Sequence, residues 1–145
     1  MNTEFNNGFE SIEHDGITYA EVIWSHASVP TTKFFSPAGS SFQFGLLAHG
    51  AGFTEPAHYH KEISRQINDL QQMFVVQRGV VVVELYTNTG EKFREVELKK
   101  GDAIVLVNGV HSVRVIEDMQ CVSVKQGPFL GDRNDKIEVE VKNNG

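Results

Sequence analysis

The chain has 145 residues, of which 40% are hydrophobic and 22% are charged, a composition typical of one soluble globular domain. The formal net charge of −6 argues against nucleic acid and anionic membranes as partners, and no apolar run approaches the length of a membrane span. The single cysteine excludes an intrachain disulfide. We therefore predict one cytoplasmic domain over 1–145, with a polar N-terminal extension over about 1–16 that contains no signal-peptide core.

Short segments rich in β-branched and aromatic residues follow one another along the chain. They predict strands, in chain order, over 17–24, 42–49, 73–87, 92–101, 102–107, 111–117, 119–127 and 137–141. Residues 52–60 are expected to be extended, and 61–70 is the one place where a short helix is expected. The run 73–87 looks like a pair of strands broken at Gln77-Arg78-Gly79. Many short strands separated by turns predict an all-β fold, either a closed barrel or a double-sheet jelly roll.

Two histidines stand one residue apart in the extended segment. On a strand, His58 and His60 point to the same face and lie about 6.6 Å apart along the chain. His111 follows the Asn108-Gly109 turn and opens another strand, so it can face the same cavity. Three imidazoles on one face suit a metal ion. The residues alone leave open three interpretations: metal ligands, acid/base groups, and polar side chains without chemistry.

These residues resemble the first motif of the cupin family, which has a glycine, five residues, H-x-H, a short gap, a glutamate, six residues and a glycine. Here Gly52 is followed by five residues and by His58 and His60, and Gln72 is followed by six residues and Gly79. Glutamine stands where the family has glutamate, and the gap after His60 is longer than usual.

A second stretch resembles the second cupin motif. Gly101 is followed by five residues and by a turn that contains Gly109 and ends at His111. Val107 stands where the family has proline, and one residue fewer precedes the histidine. The resemblance spans about 39–128.

The resemblance implies an RmlC-like jelly-roll β-barrel with His58, His60 and His111 pointing inward near one mouth. It implies a site for a divalent metal ion (iron, zinc, nickel or manganese) formed by these histidines and Gln72. A neutral amide is a weaker ligand than a carboxylate, so reduced affinity is expected. Glu62 takes the place of Gln72 if 61–70 folds back over the mouth.

The tail over 122–136 resembles the ending of WbuC-type cupins, which are associated with surface-polysaccharide biosynthesis. The expected function is to hold a small polar ligand, either sugar-like or a hydroxy-carbonyl compound, at the histidine-lined mouth. If the protein is an enzyme, it is a metal-dependent isomerase or dioxygenase. A shorter resemblance to FdtA-type sugar-nucleotide 3,4-ketoisomerases implies instead a metal-independent isomerase with His58 and His60 as acid and base, and a non-catalytic binding protein is the third alternative. A homodimer is expected.

Overall fold

The structure is a computed structural model that describes residues 8–142. It is 44% strand and 3% helix, so the all-β prediction is confirmed. The elements in chain order are β1 (Phe9–His14), β2 (Ile17–Ile23), β3 (Lys33–Phe34), β4 (Gly45–Leu46), β5 (Gln72–Tyr86), β6 (Lys92–Leu98), β7 (Ala103–Leu106), β8 (Val110–Lys125) and α1 (Asp132–Asp135).

One antiparallel sheet of six strands dominates the molecule. Its strand order is β1-β2-β7-β5-β6, and β8 pairs with the other edge of β5. The sheet is strongly curled and forms a half-barrel. Strands β3 and β4 pair with each other in a separate two-stranded sheet.

Two long strands replace pairs of shorter strands predicted from the sequence. Strand β5 runs for 15 residues through the predicted break, and β8 runs for 16 residues across both 111–117 and 119–127. The pairing between β5 and β8 shifts register around Arg78, next to Gly79, which has a φ of 81°. A glycine inside a strand often marks such a bulge. Gly79 was expected to separate two strands, but it produces a bulge within one long strand.

The main hydrophobic core lies on one face of the curled sheet, which we call the core face. Its fully buried side chains include Val22 of β2, Val83 and Leu85 of β5, Leu98 of β6 and Ile104 of β7. Cross-strand partners point to the same face, and the pairs Val22↔Ile104 and Val83↔Val96 belong to this cluster. Phe74 and Val76 of β5 also pack there.

The opposite face of β2 and β7 carries a smaller core. Phe9, Ile23 and Val105 are buried there against Phe44. Glu21 is buried on this face and accepts a hydrogen bond of 2.9 Å from Ser36 Oγ. The region around β3 and β4 therefore covers this face of the sheet.

Strands β1 and β6, which end the strand order, approach each other through side chains. His14 stacks on Phe93 with ring centroids 4.5 Å apart, and Arg94 donates to Glu10 Oε1 over 2.8 Å. The curl is therefore strong enough to bring the first and last strands of that order into contact. Strand β1 falls within the predicted N-terminal extension, so the structured chain begins earlier than expected, while residues 1–7 lie outside the described residues.

Three segments differ from the sequence prediction. The helix expected over 61–70 is wrong, because this segment forms neither a helix nor a strand. Only Gly45–Leu46 of 42–49 forms a strand, and 137–141 forms none. Within 8–142, α1 is four residues long, and no helix has the length and apolar character needed to cross a membrane.

Candidate functional site

A cleft of about 940 Å³ lies where the turn between β7 and β8 meets the C-terminal segment, residues 135–141. Its floor comes from the two ends of β5 and from the start of β8. The backbone N–H of Lys142 donates to the carbonyl oxygen of Gly90 over 3.0 Å, which fixes the end of the C-terminal segment beside the β5–β6 turn. Residues 137–141, predicted to be a strand, thus serve as a wall of the cleft.

Gln72 and His111, two of the predicted site residues, both line this cleft. Gln72 opens β5 opposite Leu106, and His111 lies near the start of β8 opposite Leu85. Leu85 and Leu106 belong to the main core, so Gln72 and His111 share the core face. The fold therefore places Gln72 of the first motif and His111 of the second motif in the same cleft.

Gly109 sets the direction in which β8 leaves the turn. Its φ is 76°, a left-handed conformation that glycine adopts without steric cost. A Cβ at this position would overlap the ring of Tyr19. The turn thus brings backbone against an aromatic ring, and His111 follows two residues later.

The surroundings of His111 favour its neutral form. The loss of hydration next to the cleft walls lowers the pKa of His111, and the nearby Lys136 ammonium lowers it further. A neutral imidazole presents one acceptor nitrogen, which serves as a metal ligand, a base or a hydrogen-bond acceptor. The Gln72 amide donates to Ser123 Oγ over 2.9 Å, which orients this side chain across β8.

A second polar group in the cleft is centred on Glu84. Its Oε2 accepts hydrogen bonds from Tyr86 Oη at 2.7 Å and from Ser112 Oγ at 2.8 Å. These two bonds, followed by the charge of Lys92, lower the pKa of Glu84 to about 2. No sequence motif pointed to this cluster. Glu84 is the one charged residue in the apolar run 80–86, and that was the available signal.

His58 and His60 lie elsewhere, on an exposed segment that belongs to no helix or strand. Their ring centroids are 5.3 Å apart, and His58 Nδ1 lies 2.9 Å from the carbonyl oxygen of Pro56. Glu62, the alternative ligand, is exposed on the same segment. Neither histidine lines the cleft, and no three His, Cys, Asp or Glu side chains within 8–142 form a group that could hold a metal ion.

Comparison with known proteins adds no assignment. The chain matches no family model, no curated protein and no solved structure. The class that fold and site define is thus an all-β half-barrel with a polar cleft at one end. The cupin resemblance rests on the sequence motifs alone.

Proposed function

We propose that the chain is a small cupin that binds a small polar ligand, either sugar-like or a hydroxy-carbonyl compound, in this cleft. One observation carries the proposal: Gln72 and His111, which come from separate motifs, line a single cleft of about 940 Å³. That volume lies within the range of sites for small molecules and cofactors. The resemblance of the tail supports a setting in cytoplasmic surface-polysaccharide or sugar metabolism.

The side chains of the cleft match the chemistry of such a ligand. The carboxylate of Glu84 and the neutral imidazole of His111 accept hydrogen bonds from hydroxyl groups. Lys125 and Lys136, which also line the cleft, donate to carbonyl or carboxylate oxygens. A compound with adjacent hydroxyl and carbonyl groups uses both kinds of partner.

The glycines of the two motifs support the cupin assignment. Gly52, Gly79, Gly101 and Gly109 all have positive φ, between 76° and 89°. Most side chains avoid this region, so a glycine there has a physical reason. The four motif glycines therefore lie at positions where the backbone conformation favours glycine.

The described arrangement of one chain does not fit the implied metal ion. Gln72 and His111 lie in the cleft, while His58 and His60 lie on the exposed segment outside it. A site of His58, His60, Gln72 and His111 remains a prediction from the motifs, and we derive no chemical step through a metal. The ligand proposal does not depend on it.

Ligand binding is tested by calorimetric titration and thermal shift with a panel of sugar nucleotides and hydroxy acids. We expect at least one compound to raise the melting temperature of the wild type. His111→Ala should weaken its affinity by about twofold to tenfold, because one hydrogen bond is worth about 0.5–1.5 kcal/mol. His26→Ala, an exposed histidine outside the cleft, is the matched control. Equal affinity in both variants would refute the proposed role of His111.

The metal prediction is tested by elemental analysis of protein purified without a histidine tag. About one divalent ion per chain, lost in His58→Ala and in His111→Ala, would support it. Absence of metal, with no rise in melting temperature on adding iron, zinc, nickel or manganese, would contradict it. In that case, deuterium exchange into a 4-keto-6-deoxy sugar nucleotide that is insensitive to chelators identifies the metal-independent isomerase. If a ligand binds but neither deuterium exchange nor product is detected, the result supports the third alternative, a non-catalytic binding protein.

A further inference from the structure

The C-terminal part of the chain forms one wall of the cleft without belonging to the sheet. Residues 136–142, which we call the strap, follow α1 and lie outside every helix and strand of the described residues. Five residues of the strap line the cleft, and they are Lys136, Ile137, Glu138, Val139 and Val141. The cleft therefore has one wall that the ladder hydrogen bonds of the sheet do not hold.

The strap is attached at its two ends. The backbone N–H of Lys136 donates to the carbonyl oxygen of Asp132 over 2.9 Å, and that of Lys142 donates to the carbonyl oxygen of Gly90 over 3.0 Å. Within 8–142, no backbone group of 137–141 forms a hydrogen bond with another backbone group. A segment with so few hydrogen bonds opens locally at a lower free energy than the sheet that it lies against.

The attachment at Gly90 is specific but weak. Gly90 has a φ of 84°, and a Cβ there would lie 2.6 Å from the carbonyl oxygen of Glu140. The absence of a side chain at Gly90 therefore lets the strap lie against the β5–β6 turn. The Lys142 ammonium lies 3.1 Å from Glu91 Oε1, and both side chains are more than half exposed. An exposed ion pair of this kind adds little stability and is screened by salt.

The attachment at Lys136 is local in sequence. Lys136 ends α1 with extended backbone, and its ammonium lies 3.1 Å from Asp132, four residues earlier. These contacts join neighbours in sequence, so they persist wherever the rest of the strap lies. The ion pair between Lys142 and Glu91 instead joins residues 51 positions apart. Release at Gly90 with a hinge at Lys136 is therefore the motion that breaks the fewest contacts.

The apolar side chains of the strap are left in contact with water. Ile137, Val139 and Val141 alternate with two glutamates and are 91%, 38% and 38% exposed. His111, on another wall of the cleft, is also exposed. Closure of the strap over a bound molecule would bury these apolar side chains and exclude water from the hydrogen bonds of the ligand.

We propose that the strap is a gate for the cleft. Tied to Gly90, the strap forms the wall described above; released there, it turns about Lys136 and opens that side of the cleft. Segments that move in this way admit a ligand and then cover it. A ligand that contacts the strap holds it in the tied position, because the released position lacks those contacts. The ligand step rests on the proposed function, whereas the opening is a property of the free chain.

Distances between two spin labels test the opening in the free protein. In a Cys121→Ala background, one label is attached at Glu140→Cys on the strap and the other at Glu97→Cys on β6, both at exposed positions. We expect two distances, one for the tied strap and one for the released strap. A pair at Ile17→Cys on β2 and Glu97→Cys reports on the sheet alone and should give one distance.

Charge variants of the labelled chain test the attachment at the β5–β6 turn. Lys142→Glu should raise the ratio of released to tied strap about twofold to fivefold, because an exposed ion pair is lost. Glu91→Lys/Lys142→Glu, which exchanges the two charges, should restore the original ratio. Lys100→Glu makes the same change of charge at an exposed residue outside the strap and should leave the ratio unchanged. A single distance in every variant, or a ratio that Lys142→Glu does not alter, would overturn the gate.

Closure over a ligand is measured on the same labelled chain with UDP-glucose, a sugar nucleotide, and citrate, a hydroxy acid. A compound that raises the melting temperature should also shift the strap toward the tied distance. A rise in melting temperature with an unchanged ratio would overturn the gate and leave ligand binding standing. Two distances without a thermal shift from either compound would support the moving strap and count against the proposed function.

Discussion

Glu84 illustrates how a single side chain is adapted to its surroundings. It interrupts an apolar strand, yet its carboxylate is held by two hydroxyl donors and lies 3.4–3.5 Å from the cationic groups of Lys92 and Arg114. These partners favour the ionised form, which gives the pKa of about 2. The cleft therefore keeps a negative charge throughout the physiological pH range.

The pKa of Glu84 predicts a pH-dependent contribution to stability. Its folded pKa of about 2 lies below the ordinary value of 4.5, so its contribution is complete above pH 4.5 and is lost as pH falls toward 2. Glu84→Gln should lower the free energy of unfolding by about 1 kcal/mol at pH 6, a figure discounted for the solvent that reaches the cleft. Urea unfolding at pH 6, 4 and 3 should show this difference shrinking.

Glu117→Gln, at an exposed position on β8, controls for the change in net charge. If the difference between wild type and Glu84→Gln does not change from pH 6 to pH 3, the hydrogen bonds seen in the structure do not stabilise the ionised form.

At the scale of elements, the bulge in β5 decides which side chains enter the core. Before it, Phe74 and Val76 face the core, and after it Val81, Val83 and Leu85 do so. The alternation changes from even to odd positions, which a continuous strand without a bulge cannot do. The sequence had suggested two separate strands with a break between them at Gln77-Arg78-Gly79.

The bulge depends on Gly79. Its φ is 81°, and a Cβ there would lie 2.7 Å from the carbonyl oxygen of Glu117 and would overlap that of Asp118. Gly79→Ala should therefore lower the free energy of unfolding by more than about 2 kcal/mol, since the left-handed conformation alone costs about 1–2 kcal/mol. Denaturant unfolding measures the difference.

Gly39→Ala is the matched control, because a Cβ at Gly39 meets nothing within 4 Å. It should change stability by less than about 0.5 kcal/mol. Equal effects in the two variants would mean that the bulge tolerates a side chain.

Elements with strong local patterns were predictable, and those that depend on distant partners were not. The β-branched residues of 73–87 and the alternation in 92–101 predicted strands close to the observed β5 and β6. The local sequence of 61–70 favoured a helix, yet this segment forms neither a helix nor a strand. The Glu84 cluster was also hidden, because Ser112 reaches Glu84 only through pairing between β5 and β8.

At the scale of the whole molecule, the sequence indicated the fold class and the residues to consider, but not their assembly. The all-β prediction followed from composition and turns, and the motif positions of Gln72 and His111 pointed to one cleft. The curl that brings β1 against β6 could not be predicted, because Glu10 and Arg94 are 84 residues apart and share no local signal.

Strand β5 has hydrogen-bonded neighbours on both edges over most of its length: β8 on one side, and β7 followed by β6 on the other. Freeing its amide groups requires separating it from three strands at once, whereas β1 and the β3–β4 pair can detach while the rest of the sheet stays intact. The molecule is thus built with a gradient of local opening. We therefore expect its amides to exchange with solvent first at the margins, and those of β5 only when the whole sheet comes apart.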